Sequence, residues 1–196
     1  MIALDSSSAR RHQPARTVLV TGAASGLGAS VVARARASGW TAVGVDAEPC
    51  RGIDHLVADL ADETQLAPAV ARLAARSHGL RAVVAVSGIE ATVRAALPFL
   101  SAPDGTVVAI ASARKWDRAD PSSAGTMGED VVGVTHSLAE ELRGRAGVTL
   151  LARGGPGDEP ASTGDLAAAV MHVLSRPAGC VIPELVVARS APRPSP

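Results

Sequence analysis

The stretch TVLVTGAASGLG, residues 17–28, decides the fold of this chain. It opens with TVLV, an aliphatic run typical of a buried parallel strand. Gly22, Gly26 and Gly28 follow, at the point where a helical pattern begins. Gly22 permits a sharp turn, Gly26 a close approach of backbone to phosphate, and Gly28 close helix packing. Because free N–H groups at a helix start attract phosphate, the stretch predicts a strand–loop–helix cradle for a pyrophosphate.

The composition favours a single domain with an aliphatic core. The chain has 196 residues, of which 47% are hydrophobic but only 2% aromatic, with no tyrosine. Val, Leu, Ile and Ala must therefore fill the core, as suits strands that are covered on both faces. The formal net charge is zero, which gives no electrostatic support for nucleic-acid binding. No apolar run has the length of a membrane span, so we expect no membrane association and a cytoplasmic location.

The domain is predicted to cover residues 17–190, between flexible tails at 1–16 and 191–196. Both tails are polar and lack a periodic apolar pattern. Cys50 and Cys180 lie far apart without metal-ligand spacing, so we expect two reduced thiols rather than a disulfide, and no metal site.

Short aliphatic runs alternate with helical patterns along the domain. This alternation predicts parallel crossovers and an α/β, Rossmann-like doubly wound sheet, with about seven strands in the order 3-2-1-4-5-6-7. The predicted strands are 17–20, 41–46, 54–59, 80–87, 105–112, 147–152 and 180–188, and the predicted helices are 27–38, 62–77, 91–100, 129–145 and 163–176.

Three of these helices carry further local signals. Asp62 and Gln65 are spaced as a capping box, and Pro68 predicts that their helix starts late or kinks. Thr163 is a candidate N-cap of the last helix. In 129–145, apolar residues recur at helical spacing and predict one buried face.

Asp46 ends the second predicted strand, 18 residues after Gly28. A carboxylate there can accept hydrogen bonds from the adenosine ribose hydroxyls and repel a 2′-phosphate. Ser25, just before Gly26, gives the cradle no cation for an extra phosphate. Both observations favour NAD over NADP; the alternative for Asp46 is a solvated turn residue.

The spacing TG-x-x-x-G-x-G resembles that of the short-chain dehydrogenase/reductase family, and the similarity runs with gaps from about residue 17 to 190. VADLAD at 57–62 resembles the segment after the family's third strand, and VVAVSGI at 83–89 its fourth strand. The resemblance implies an NAD(P)-binding oxidoreductase that acts on a small alcohol or carbonyl compound. It places cofactor contacts on the cradle residues Gly22, Ser25, Gly26, Leu27 and Gly28, and on Asp46, Asp59, Leu60, Ser87 and Gly88.

The resemblance also implies a catalytic tetrad, of which one member is present. GTVVAIASA at 105–113 resembles the strand that ends in the catalytic serine, here Ser112. The family's Tyr-x-x-x-Lys pair falls on Ala124 and Gly128. The chain has no tyrosine and no asparagine at all, so no realignment restores these two members, and its only lysine lies outside the predicted helix at 129–145.

Other groups could move the proton. Lys115, the only lysine, lies three residues after Ser112, and Asp117 follows it. The alternative is that ARKWDRAD at 113–120 is a solvated loop. His136 lies on the predicted helix beyond the vacant lysine position, where a surface or packing role is the alternative. The alternative for Ser112 is that it is only a polar residue at the end of a strand, without a catalytic role.

Three functions stay open at this point. The first is NAD-dependent hydride transfer using Ser112 with a substituted acid/base. The second is a catalytically inactive protein that binds a dinucleotide, or pairs with an active homologue. The third is a non-redox isomerase or cyclase. A homodimer or heteromer through the helix at 129–145 is expected, and the short segment after the sixth strand predicts a pocket open to solvent.

Overall fold

The computed structural model describes residues 16–24, 26–101, 103–111, 128–154 and 159–189. Within these ranges strands and helices alternate along the chain, except that two strands follow each other at 41–57 and again at 146–160. The strands are β1 (Thr17–Thr21), β2 (Thr41–Asp46), β3 (Asp54–Val57), β4 (Ala82–Ala85), β5 (Gly105–Ala111), β6 (Ala146–Arg153), β7 (Glu159–Pro160) and β8 (Glu184–Arg189). The helices are α1 (Gly26–Ala37), α2 (Glu63–Arg76), α3 (Ile89–Ala96), α4 (Gly128–Glu141) and α5 (Thr163–Leu174), and a 3-10 turn, Leu97–Phe99, follows α3.

The strands form one sheet in the order β3-β2-β1-β4-β5-β6-β8-β7. Every pairing from β3 to β8 is parallel. The predicted order of seven parallel strands is therefore confirmed, with β8 as the seventh. The two-residue strand β7 was not predicted; it pairs antiparallel with the outer edge of β8.

Helices cover both faces of the sheet, as the aliphatic strands require. α1 and α5 pack on one face, where Val18, Val20 and Leu166 are fully or almost fully buried. α2, α3 and α4 pack on the other, around residues such as Leu19 and Leu73. β1 alternates its side chains between the two faces and is buried along its whole length. The central strands must therefore be apolar on both sides, which is why they read as continuous aliphatic runs.

Helix α4 buries the face that its periodicity predicts. Thr135, Leu138 and, just after the helix, Leu142 are buried, while Val131 and Val134 pack half-buried beside them. The Thr135 hydroxyl donates to the Val131 carbonyl at 2.6 Å, so a polar group sits on this apolar face without an unpaired donor.

Three local expectations about helix starts were wrong: the late start of the helix that contains Pro68, the capping box of Asp62 and Gln65, and the N-cap at Thr163. α2 begins at Glu63, before Pro68, because the Asp62 carboxylate accepts the Thr64 N–H at 2.9 Å and caps the first turn. Gln65 bonds to the Asp62 side chain rather than closing a capping box. In α5 the cap is Ser162, one residue before the predicted Thr163.

The true capping box lies in α5 and has both of its reciprocal bonds. The Asp165 N–H donates to Ser162 Oγ at 3.1 Å, and the Ser162 N–H donates to the Asp165 carboxylate at 3.0 Å. The Ser162 hydroxyl also donates to the Asp165 carboxylate at 2.7 Å. This bond, followed by the one from the Ser162 N–H, holds the pKa of Asp165 below its ordinary value.

Other expectations fall partly or wholly outside the described residues. The two predicted tails do so except for Arg16, whose carbonyl accepts the Thr41 N–H at 2.8 Å.

Both cysteines are free as expected, Cys50 buried and Cys180 exposed. Over the described part of the chain, every helix is too short or too polar to cross a membrane.

Candidate nucleotide-binding groove

The glycine-rich loop between β1 and α1 packs against its own helix. Gly22 has a φ of 68°, a left-handed conformation that turns the chain sharply after Thr21. A Cβ added at Gly28 would lie 1.9 Å from the Gly22 carbonyl oxygen and 3.0 Å from Ala23 Cα. Only a residue without a side chain fits at position 28, so the predicted role of Gly28 in close helix packing is borne out by the geometry.

The start of α1 is open on its outer side. Gly26 is exposed with a φ of 57°, and a Cβ there would meet no atom within 4 Å. The first N–H groups of an α-helix have no partner inside the helix, and they carry its positive dipole end. This end of α1 can therefore receive an anion. Leu27 turns its side chain into the core beneath α1 and offers only its backbone. Ser25 lies outside the described residues.

Asp46 connects the end of β2 to this loop. Its Oδ2 accepts the Ala24 N–H at 2.9 Å, and its Oδ1 accepts the Glu48 N–H at 3.2 Å. A carboxylate has about four lone-pair sites, so two backbone donors leave capacity for hydroxyl groups. Asp46 is thus a fixed, half-buried acceptor beside the glycine loop rather than a freely solvated turn residue.

The end of β3 supplies a second wall. The Asp59 carboxylate accepts the Ala61 N–H at 2.9 Å and remains exposed. The neighbouring Ala58 N–H donates to the Asp46 carbonyl at 2.9 Å, which holds this segment against the end of β2. Asp59 and Asp46 consequently face the same edge of the sheet.

The end of β4 closes the groove from the other side. Gly88 has a φ of 58°, and a Cβ there would lie 2.6 Å from the Leu60 carbonyl oxygen. A Cβ at Gly22 would lie 3.5 Å from Ser87 Oγ. Gly88 therefore packs closely on Leu60, and Gly22 on Val86 and Ser87, so that the ends of β3 and β4 lie beside the glycine loop.

Sequence reasoning missed Thr21, which ties the two central strand ends together. It is fully buried, and its hydroxyl donates to the Ser87 carbonyl at 3.0 Å. A hydroxyl at the last position of a buried strand was the available signal, because such a group needs a partner. Ala24 was missed as well, since its contribution is a backbone N–H.

Cys50 lies just beneath Asp46 but outside the groove. Its Sγ would be 3.2 Å from a Cβ on Gly44, in the layer that also contains Ala23. Burial, and then the negative charge of Asp46, raise the pKa of its thiol. Cys50 is therefore a neutral packing residue at physiological pH.

Most of the positions expected to be catalytic lie outside the residues that the structure describes. Ser112, Lys115, Asp117 and Ala124 lie outside the described residues. Gly128 is the first residue of α4. His136 is exposed on α4, next to the inward-facing Thr135, and its chemical role stays a prediction. Within the described ranges, no cluster of three or more His, Cys, Asp or Glu side chains is arranged to hold a metal ion.

The chain thus has a Rossmann-like α/β fold, with a glycine loop, a helix start and an acidic strand end together at the first crossover. Comparison of the sequence with protein-family models and with curated proteins finds no match. Comparison with solved structures does find matches, and those described below are short-chain oxidoreductases or dehydrogenases.

Three solved structures illustrate the likeness. A metagenomic short-chain oxidoreductase in complex with NADP is 20% identical, with a TM-score of 0.73 over 90% of this chain and 98% of that one. A Brucella ovis oxidoreductase of the short-chain dehydrogenase/reductase family, with a partially ordered NAD, is 19% identical, with a TM-score of 0.70 over 88% and 99%. Aldohexose dehydrogenase from Thermoplasma acidophilum is 16% identical, with a TM-score of 0.74 over 88% and 92%. The chain therefore has the short-chain dehydrogenase/reductase fold.

Proposed function

We propose that this chain binds NAD in the groove at the carboxyl edge of β1, β2 and β4, as a protein of the short-chain oxidoreductase type. The observation that carries the proposal is the contact of Gly28 with the Gly22 carbonyl, in a loop that Asp46 holds through the Ala24 N–H. This packing leaves the start of α1 free to receive the pyrophosphate of a dinucleotide.

The adenosine end of the dinucleotide would lie between the ends of β2, β3 and β4. Asp46 would accept the ribose hydroxyls with its remaining lone pairs, and Asp59 would contact the adenine. Leu60, Ser87 and Gly88 would form the walls. A carboxylate at Asp46 disfavours a 2′-phosphate by charge repulsion, which is why we propose NAD rather than NADP.

The proposed reaction is hydride transfer between the nicotinamide and a small alcohol or carbonyl compound. The cofactor supplies the hydride chemistry when bound. Ser112 would polarise the substrate oxygen, and Lys115 or His136 would give or take the proton at that oxygen. This assignment follows from the resemblance of the strand before Ser112 and from the absence of tyrosine in the chain.

A second candidate is a protein that binds NAD without turning it over, alone or beside an active homologue. The complete lack of tyrosine and asparagine favours it, because general acid–base groups contribute about 10²- to 10⁴-fold to rate. We propose a homodimer or heteromer for such a role, with α4 as the contact helix. Light scattering that returns a monomer at all concentrations would contradict this association.

NADH binding tests the groove. We expect NADH fluorescence to report saturable binding that Gly26→Asp weakens by about tenfold or more, because the new carboxylate lies where phosphate approaches. Gly39→Asp is the matched control: Gly39 also has a positive φ and open space around its Cβ, but it follows the far end of α1. Equal loss in both variants, or no NADH binding by the parent protein, overturns the proposal.

Turnover separates the two candidates. Purified protein is mixed with NADH and a panel of ketones and aldehydes, and oxidation is followed at the nicotinamide absorbance. Turnover that Ser112→Ala abolishes supports hydride transfer. Binding of NADH without turnover of any substrate supports the second candidate.

A further inference from the structure

The amino-terminal edge of the sheet, opposite the groove, contains an open cavity of about 500 Å³. It lies where β1, β2 and β4 begin and where α5 ends. A β-strand rises about 3.3 Å per residue, so the five residues of β1 separate this edge from the groove by about 16 Å. A ligand in the cavity therefore could not touch the glycine loop.

The lining of this cavity is strongly basic. Arg16 precedes β1, Arg81 precedes β4, and His172 and Arg176 lie at the end of α5. Every described ionisable side chain that lines the cavity is a base. An adjoining cavity of about 200 Å³ shares Arg81 and Arg176 and adds one carboxylate, Asp104.

The negative groups nearby do not balance the three guanidinium groups. Asp104 contributes one charge, and the carboxyl ends of α1 and α5 contribute about half a charge each. An excess of positive charge therefore remains on the guanidinium groups alone. The protein as a whole has no net charge, so this concentration of cations is local.

Arg81 is incompletely satisfied. Its side chain is 19% exposed, and its Nη1 lies 3.3 Å from Asp104 Oδ2. The geometry of that ion pair is nevertheless too poor for a hydrogen bond, and the buried Nη1 has no other partner among the described residues. A guanidinium N–H without a well-aligned acceptor is unfavourable, and an anion beside Arg81 would compensate its charge.

The same cavity has an apolar side. Trp40, half-buried after the end of α1, lies with Met171 and Leu174 in its wall. A site that combines guanidinium groups with an indole and aliphatic side chains suits an amphipathic anion better than a simple salt ion.

From these contacts we propose that the cavity binds a small phosphate monoester with an apolar or aromatic alcohol portion. Arg16, Arg81 and Arg176 hold the phosphate, because guanidinium groups pair with phosphate oxygens in a planar, directed geometry. Trp40 and Met171 contact the apolar portion. The dianionic charge of a phosphate matches several guanidinium groups better than a single carboxylate does. The site is independent of the proposed NAD groove.

Trp40 provides a direct readout. The chain contains two tryptophans, Trp40 and Trp116, and no tyrosine. In a Trp116→Phe protein the indole fluorescence therefore reports Trp40 alone. Phenyl phosphate is the probe. Inorganic phosphate tests whether the anion binds without an apolar portion, and sodium chloride at matched ionic strength controls for electrostatic screening.

We expect phenyl phosphate to change this fluorescence saturably and to bind more tightly than inorganic phosphate. Arg81→Met and Arg176→Met should each weaken binding by about tenfold, since each removes a charged hydrogen-bond donor but keeps an apolar stem. Arg72→Met is the matched control, because Arg72 is exposed on α2, on the opposite face of the sheet. If Arg81→Met fails to fold, Arg16→Met takes its place.

Three results would overturn the proposal. One is a fluorescence change that sodium chloride reproduces, and another is an equal loss of binding in Arg72→Met. The third is loss of the signal in Gly26→Asp, which would place the probe in the glycine cradle. Retained phenyl phosphate binding in Gly26→Asp, with NADH binding lost, shows that the two sites are separate.

Discussion

Replacing Gly28 by alanine tests the packing on which the groove depends. The added Cβ would lie 1.9 Å from the Gly22 carbonyl oxygen, whereas real Cβ contacts are almost never under 3.0 Å. The loop or the helix must therefore move by about 1.1 Å, the difference between these two distances. The atoms in the way are backbone, so no side-chain rotation relieves the clash.

Such overpacking costs about 2 to 3 kcal/mol of the free energy of unfolding. For a chain of this size that loss lowers the Tm by about 4 to 12 °C. The displacement also shifts Gly22 and Ala23, so NADH binding should weaken together with stability. Thermal unfolding followed by circular dichroism and NADH titration measure the two effects.

The control is Gly133→Ala on α4, where the new methyl group meets no atom within 4 Å. Alanine is the better helix former, so this variant should be more stable by up to about 1 kcal/mol. The reasoning is refuted if Gly28→Ala unfolds at the wild-type temperature and binds NADH with wild-type affinity.

Three further substitutions extend the test. Asp46→Asn should raise the affinity for NADPH relative to NADH by about tenfold, because one charge facing the 2′-phosphate is lost. Paired titrations with the two cofactors measure this ratio of affinities, and an unchanged ratio contradicts the role of Asp46. Gly88→Ala should lower the Tm, because its Cβ would lie 2.6 Å from the Leu60 carbonyl oxygen at a φ of 58°; a wild-type Tm contradicts that contact. Asp62→Ala should destabilise the protein at neutral pH. Bonds from Thr64 and Gln65 lower the pKa of Asp62 from 3.8, so its contribution is present above that value and lost as the pH falls through the folded pKa. Urea unfolding at several pH values should therefore show the difference from wild type shrinking in acid, and a difference independent of pH contradicts the cap.

Local sequence patterns predicted most of the helices and strands. Buried parallel strands such as β1 and β5 are continuous aliphatic runs, and this signal needs no tertiary information. Helix caps were harder. Asp62 was recognised as a cap. Ser162 and Thr163 are adjacent hydroxyl residues at the start of α5, and only the backbone angles decide which hydroxyl meets the Asp165 N–H. The two-residue strand β7 has no periodic signal, because it is too short to repeat a pattern.

The candidate groove was predictable to a similar degree. The glycine spacing and Asp46 identified the loop and the acidic strand end, because parallel strands deliver their carboxyl ends to one edge. The bond from the Ala24 N–H to Asp46 was not predictable, since it joins residues 22 apart through a backbone group that every sequence possesses. The contact between Gly88 and the Leu60 carbonyl was not predictable for the same reason, because it too involves a backbone group of a distant residue.

By itself, then, the sequence determined the α/β class and the position of the glycine loop, because these follow from periodicity and from the conformational freedom of glycine. It also determined the order of the parallel strands, because alternating strands and helices form a doubly wound sheet. The absence of tyrosine and asparagine, and so of the usual proton relay, is likewise a property of the sequence alone. Only the tertiary structure brought Arg16, Arg81 and Arg176 to one cavity. They belong to three separate elements, and spatial proximity between distant residues comes from the way sheet and helices pack, which no local pattern records.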